Sequence, residues 1–475
     1  MRGWRAARLG RMGDGPWSGG DEGWRVMRRR RTAWWRPARV RRGHPVARAR
    51  VAVVVALLLC TTAALPGGTA LAAGTPSPYA FAPDAQFVPG APGSADAALL
   101  TPGTTYRSSL PSDGQIYYSL ELDDASDAYV SATAVPAAGS TIRSGDGIKI
   151  AVENSDGRVC SSDSETFGIV RTARPIATWA GREISAKHSS CGTSGTYYVV
   201  IERVSTTTSV PDTWDLELFA VSEPALEQTG ATEAPDDWNS APPAPLTGDA
   251  TRREGGSGFA SAASIGNGVW SSDIEPGRTF FYKVPLDWGR RLYATAELGS
   301  SNSGEGSTGS GALNLSLYNP ARGFVDEASA TYDGRQKSAE LDPLPPVAYE
   351  NRYARPDHLN GMRFAGSYYL VVNLAAEVAE KYGEGPFRLT LRVGVEGASQ
   401  AGPGYAGESE PEGLFQIGQA GAAGGDQAAA AAGAAGSGGG SAMTVLAVSG
   451  IGTGTVVLVV LGVWTVVARR RAAAL

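Results

Sequence analysis

The stretch GTYYVVIERV at Gly195–Val204 returns as GSYYLVVNLA from Gly366 onward. A strand-like segment written twice calls for a search for internal duplication first, because a missed repeat misreads the whole fold. At one constant offset, Tyr106 meets Trp270, Leu110 meets Ile274, Tyr117 meets Phe281, Tyr118 meets Tyr282, Leu120 meets Val284 and Tyr129 meets Tyr293, with no gap. Further on, Ile148, Ile150, Val152 and Asn154 match Leu313, Leu315, Leu317 and Asn319, and Trp214, Leu216 and Leu218 match Phe387, Leu389 and Leu391. Four blocks in the same order mean one domain duplicated, with insertions and deletions confined to the spaces between blocks.

Within each block apolar and polar residues alternate, as in Tyr118-Ser119-Leu120-Glu121-Leu122 and Leu313-Asn314-Leu315-Ser316-Leu317. Period two predicts strands buried on one face only. Asn154-Ser155-Asp156-Gly157 and Asn319-Pro320 supply turn chemistry at matching places. Many short strands and little helical periodicity predict an all-β chain of two tandem antiparallel sandwiches. The first is expected over residues 76–222 and the second over 257–396, joined by a linker at 223–256.

The aromatic pair of an early strand, Tyr117-Tyr118 or Phe281-Tyr282, and the late G-[TS]-Y-Y-[VL]-V strand resemble the bacterial pre-peptidase C-terminal (PPC) domains. The resemblance covers residues 95–222 and 257–396 and implies small jelly-roll-like sandwiches carried on secreted proteins. It implies no catalytic residue. This chain departs from the PPC pattern by long insertions before the late strand, Ser161 to Ser190 and Asp326 to Met362. PPC domains accompany a peptidase, and no peptidase domain is recognisable in this sequence.

The ends say where such a chain works. Residues 1–72 hold 15 Arg against 3 acidic residues and run into VAVVVALLLCTTAAL and then Ala70-Leu71-Ala72, the layout of a signal peptide with an overlong basic start. Met27 is an alternative start. Residues 444–468 carry no charge and are closed by Arg469, Arg470 and Arg471, which predicts one C-terminal transmembrane helix with a cytoplasmic tail at 469–475. Gly450 and Gly454 stand four apart on it and form a candidate face for a helix homodimer. The Ala/Gly/Ser-rich segment 397–443 is expected to be a flexible stalk. Between leader and tail, 24 basic residues face 44 acidic ones, a balance that repels nucleic acid. The expected location is the cell membrane, single-pass, with the bulk extracytoplasmic.

Signatures of chemistry are sparse. Beyond the leader only His188 and His358 occur, with no HExxH, CxxC or G-x-S-x-G pattern, so no catalytic residue, metal site or cofactor is assigned. Turns at Asp123-Asp124 and Asp146 could hold calcium, although Asp and Gly are also what tight turns need. Cys160 and Cys191 are an even pair in an oxidising exterior, which predicts a disulfide, with two buried free thiols as the alternative. In LPPVAYENRYARPDH, the residues Tyr349, Arg352, Tyr353 and Arg355 cluster. Tyr and Arg are the side chains that binding hot spots favour; packing on the sandwich edge is the alternative. The function expected is a binding or accessory module for a cell-surface protein, a glycan or another exported protein, without enzyme activity. The alternative is an envelope hydrolase with a site in the sandwich loops.

Overall fold

The computed structural model describes residues 79–417, apart from 169–171, 185–189, 206–211, 229, 236, 245, 302–303, 305 and 309–310. The leader, most of the stalk, the apolar run with Gly450 and Gly454, and the tail lie outside the described residues. Among the described residues no helix is long and apolar enough to cross a membrane.

Among the described residues each half holds ten strands. The first half holds β1 (Gln86–Phe87), β2 (Ala98–Leu99), β3 (Thr105–Leu110), β4 (Gln115–Leu122), β5 (Asp127–Val135), β6 (Gly147–Asn154), β7 (Val159–Thr166), β8 (Ile176–Arg182), β9 (Gly195–Val204) and β10 (Trp214–Glu223). These make two sheets, β1-β3-β10-β5-β8 and β2-β4-β9-β6-β7. The second half holds β11 (Thr251–Arg252), β12 (Ala263–Ser264), β13 (Gly268–Ile274), β14 (Thr279–Leu286), β15 (Arg291–Leu298), β16 (Leu313–Tyr318), β17 (Phe324–Ala330), β18 (Lys337–Glu340), β19 (Gly366–Leu374) and β20 (Phe387–Glu396). Its sheets, β11-β13-β20-β15-β18 and β12-β14-β19-β16-β17, repeat the first order strand for strand. In each half the two-residue edge strands pair in parallel and the other eight pair antiparallel, which is jelly-roll connectivity with a short strand added to each sheet.

The duplication reaches individual bonds. Buried Tyr118 donates to Ser108 at 2.8 Å, and Ser272 and Tyr282 share the equivalent bond at 3.1 Å. Gly195 and Gly366, which open the doubled strands, both sit at φ +140°, a conformation that glycine tolerates. Each sandwich has its own core, with Trp214, Leu216 and Ile150 in the first and Leu315, Leu389 and Tyr368 in the second.

Three expectations need correction. The two long insertions are part of the sandwich: they contain most of β7 with all of β8 in the first copy, and most of β17 with all of β18 in the second. Strand β7 reads VCSSDSET and is polar on both faces, so it carries no apolar alternation to betray it. Half-burial fails as well, because β5, β10 and β16 are buried on both faces almost throughout. Their outer faces meet: sheet β1-β3-β10-β5-β8 of the first sandwich packs on sheet β12-β14-β19-β16-β17 of the second. Val135 and Ala177 lie with Phe281, Tyr318 and Val371 in one apolar cluster there, and Tyr129, Phe219 and Val221 lie with Phe364 and Phe415 in another.

The third correction concerns the connecting segments. Residue Phe415, expected in the stalk, stacks on Phe364 with ring centroids 4.4 Å apart. Ser222 and Glu410 exchange backbone hydrogen bonds at 2.8 and 3.0 Å, so the chain after β20 folds back on the end of β10. The linker supplies strand β11 and lies along the second sandwich. Cys160 and Cys191 form a disulfide, which ties the start of β7 to the segment before β9.

Candidate functional site: the joint between the sandwiches

Glu217, in the middle of β10, is fully buried and points out of its own sandwich toward the other. Desolvating a carboxylate is costly unless hydrogen bonds and a counter-charge replace water. Glu217 receives three donors: the Tyr79 hydroxyl at 2.8 Å, the Ala82 N–H at 2.8 Å and Arg322 Nη1 at 2.6 Å. Arg322 belongs to the β16–β17 hairpin of the second sandwich, and its guanidinium also lies over the rings of Phe219 and Phe259.

A second ionic centre stands at the end of β10. Arg352 Nη2 donates to Glu223 at 2.5 Å and Nη1 to Asp127 at 3.2 Å, while the hydroxyls of Tyr405 and Tyr129 donate to the same Glu223 carboxylate at 2.8 and 3.0 Å. Arg363 completes the set by pairing with Glu183 at 2.7 Å. Every arginine of these pairs comes from the second sandwich and every carboxylate from the first. Burial, with repulsion from Glu223, pushes the Asp127 carboxyl up to about 7, against the opposing pull of Arg352.

Beside these pairs a polar cleft of about 230 Å³ opens between the sandwiches, lined among others by Asp163, Trp179, Glu183, Asp357 and Arg363. Asp163 is raised by burial, although it accepts a bond from the Thr178 hydroxyl at 2.8 Å. Next along β7, Glu165 is pushed up to about 8 by burial and by Glu327 of the facing strand β17.

The four residues singled out from sequence divide between two roles. Tyr349–Tyr353 is a 3-10 turn. Arg352 points inward, with its guanidinium 3.6 Å from the Tyr349 ring centroid, so both serve the joint and neither offers a free surface. Tyr353 and Arg355 face solvent. Asp123 and Asp146, weighed as calcium ligands, accept backbone N–H groups of their own turns, from Ala125 and Ser126 and from Arg143. Sequence reasoning missed Glu217, Glu223, Arg322 and Arg363. In an alternating strand a charge on the outer face reads as an ordinary solvated residue, and no local signal distinguishes one that meets a second domain.

A second cavity, about 460 Å³, lies on the opposite side of the second sandwich, where Pro243, Ala244, Leu246 and Thr247 line it against the outer face of β15, β18 and β20.

These features define a tandem of two-sheet β-sandwiches fused into one body. No family model matches the chain, and no curated protein does. Among solved structures it is similar to the N-terminal CBM22-1-CBM22-2 tandem domain of Xyn10C from Paenibacillus barcinonensis, at 13% identity, covering 60% of this chain and 83% of that one with a TM-score of 0.16. It is also similar to the CUB1-EGF-CUB2 domain of human MASP-1/3, at 10% identity, covering 61% and 99% with a TM-score of 0.14. At TM-scores this low the likeness carries nothing about ligand or activity.

Proposed function

We propose that the chain is a membrane-anchored extracytoplasmic binding or accessory module, acting by holding a partner and not by catalysis. On this reading its two PPC-like sandwiches are carried outside the cell by the apolar segment 444–468, with Gly450 and Gly454 as a self-association face in the membrane. The leader-like start supports export, and the Cys160–Cys191 disulfide fits an oxidising compartment.

One observation carries the binding role. Ile184 of the first sandwich and Tyr353 of the second are both exposed, at 37% and 40%, and both flank Asp127 at the mouth of the joint. Arg355 stands exposed beside them in sequence. A protein partner seated there touches both sandwiches at once and therefore reads the assembled joint. A photo-crosslinker in place of Tyr353, used on intact membranes, should trap an exported protein. Tyr353→Ala and Arg355→Ala should each weaken that capture by more than about 1 kcal/mol with the fold intact. Equal capture by wild type and both variants would reject the surface. For the membrane span, a two-hybrid signal that Gly454→Ile leaves at the wild-type level would reject the helix dimer.

A further inference from the structure

The two sandwiches meet through non-equivalent faces, so one face of the second sandwich has a counterpart that is already a docking surface. Register identifies the matching positions. On the docked face of the first sandwich, Val221 pairs with Tyr129 and Ser131 lies between Phe219 and Trp179. On the corresponding face of the second, Gly394 pairs with Tyr293 and Thr295 lies between Arg392 and Glu340. The tyrosine is kept; the phenylalanine, valine and tryptophan have become arginine, glycine and glutamate. The buried Glu217 is matched by Thr390, with no acid at its place to receive another Arg322. Such a face cannot dock a third sandwich as the first docks the second.

The linker crosses this face as a strap. Arg392 Nη1 holds the Leu246 carbonyl at 2.7 Å, and Arg291 holds that of Asn239. Gly394 lies beneath the Leu246 side chain, where an added Cβ would stand 3.4 Å away, in ordinary van der Waals contact. The half-open cleft left between linker and sheet, about 460 Å³, is in the usual range for small-molecule sites.

Its chemistry is selective. Arg392 is neutralised by Glu297 at 2.8 Å and Arg291 by Glu396 at 3.1 Å, so neither of these two arginines is left unpaired to attract an acidic chain. The Tyr293 hydroxyl is buried without a hydrogen-bond partner, and the Arg291 guanidinium lies 4.9 Å from the centroid of its ring. Hydroxyls of Thr295 and Ser338 and the Glu340 carboxylate line the remaining wall. An apolar ligand would strip these groups of water without replacing it. A chain rich in hydroxyls, each both donor and acceptor, satisfies them, and the Tyr293 ring offers apolar surface to sugar C–H groups. We propose that the strapped outer face of the second sandwich binds a neutral oligosaccharide, with Tyr293 as its floor and Glu340 as an acceptor.

The test applies the full-length chain, purified in detergent, to an array of neutral hexose and pentose oligosaccharides, uronate-containing and sialylated oligosaccharides, and a lysine-rich peptide, followed by calorimetry. Retention of a neutral oligosaccharide is expected, weakened at least tenfold by Tyr293→Ala and by Glu340→Ala and less by Tyr293→Phe. Unchanged thermal unfolding shows that each variant folds. Tyr353→Ala should leave sugar binding intact, which separates this site from the protein-binding surface at the joint. Capture of only acidic chains or of only the peptide, no capture at all, or neutral-sugar binding indifferent to Tyr293→Ala and Glu340→Ala would each overturn the proposal.

Discussion

Arg322 reaches Glu217 across the joint from a backbone position at φ +61°, where the first sandwich has Gly157 at φ +75°. The two hairpins are otherwise alike. Asn154 accepts the Arg158 N–H at 2.9 Å and Asn319 the Gly323 N–H at 2.9 Å. A non-glycine residue in the left-handed region costs roughly 1–2 kcal/mol. The ion pair with a fully buried carboxylate outweighs that strain, because leaving Glu217 uncompensated would cost about 3–5 kcal/mol.

Arg322→Gly therefore relaxes the turn and strands the acid. A net loss of about 2–4 kcal/mol is expected, read by urea unfolding of the full-length chain. Adding Glu217→Gln should recover part of the loss, since a neutral amide is less costly to bury. If the double variant is as unstable as the sum of the two single variants, the pair is not coupled.

Acidification should strengthen the joint. Asp127, facing Glu223, Glu183 and Arg352 and the Ile184 N–H, titrates near 7; Glu165, facing Glu327, Asp163 and Arg174, titrates near 8. Both lie above the ordinary carboxylate range, so between pH ~4 and those values the folded chain holds protons that the unfolded chain releases. The stability they contribute is full below about pH 4 and is lost as pH rises through 7 and 8. Thermal midpoints should thus fall between pH ~5.5 and ~8.5, and Asp127→Asn, which keeps the group neutral, should flatten the slope. A midpoint that rises over this window would show that attraction to Arg352 and Arg174 dominates.

The disulfide spans a sequence separation of 31, and closing such a loop is worth roughly 3–4 kcal/mol in the chain-entropy model. Cys191 is buried in the first sandwich's core. Cys160→Ser with Cys191→Ser should lower the unfolding free energy by about that amount, and peptide mapping without reductant should recover the joined pair. Two freely alkylated thiols in exported protein would contradict the bond.

What the sequence disclosed, it disclosed through repetition. Tyr118 and Tyr282 align because each makes the same buried bond to a serine, and Asn154 and Asn319 because each closes the same hairpin. Non-local relationships were hidden. Glu217 in WDLELFA alternates as a solvent-facing residue does, and only the tertiary structure shows that the solvent there is another sandwich. Strand β7 was lost for the opposite reason, since an edge strand with polar residues on both faces has no pattern to read. Of the tyrosine and arginine cluster, sequence identified a segment that matters to an interface but could not tell that Arg352 serves one inside the chain.

The last prediction concerns the returning tail. Composition alone marks its first residues as stalk, yet Tyr405 donates to Glu223 and Phe415, 1% exposed, stacks on Phe364 in the cluster that also holds Tyr129 and Phe219. A segment that closes the apolar edge of the joint should act as a clasp: without it, Phe364 loses its stacking partner and the cluster with Phe219 loses an apolar neighbour. Replacing a buried phenylalanine by alanine typically costs about 3–5 kcal/mol. Phe415→Ala should approach the lower end, because the tail can be released from the body without disrupting either core. Release has its own signature, in that limited proteolysis should cut between Gly397 and Gln416 in the variant far faster than in the wild type. Tyr405→Phe should show a smaller effect, since it removes one of the donors to Glu223 and leaves the ring in place. Equal cleavage rates for Phe415→Ala and wild type would mean that the tail adds nothing to the joint and begins the stalk at Gly397 after all.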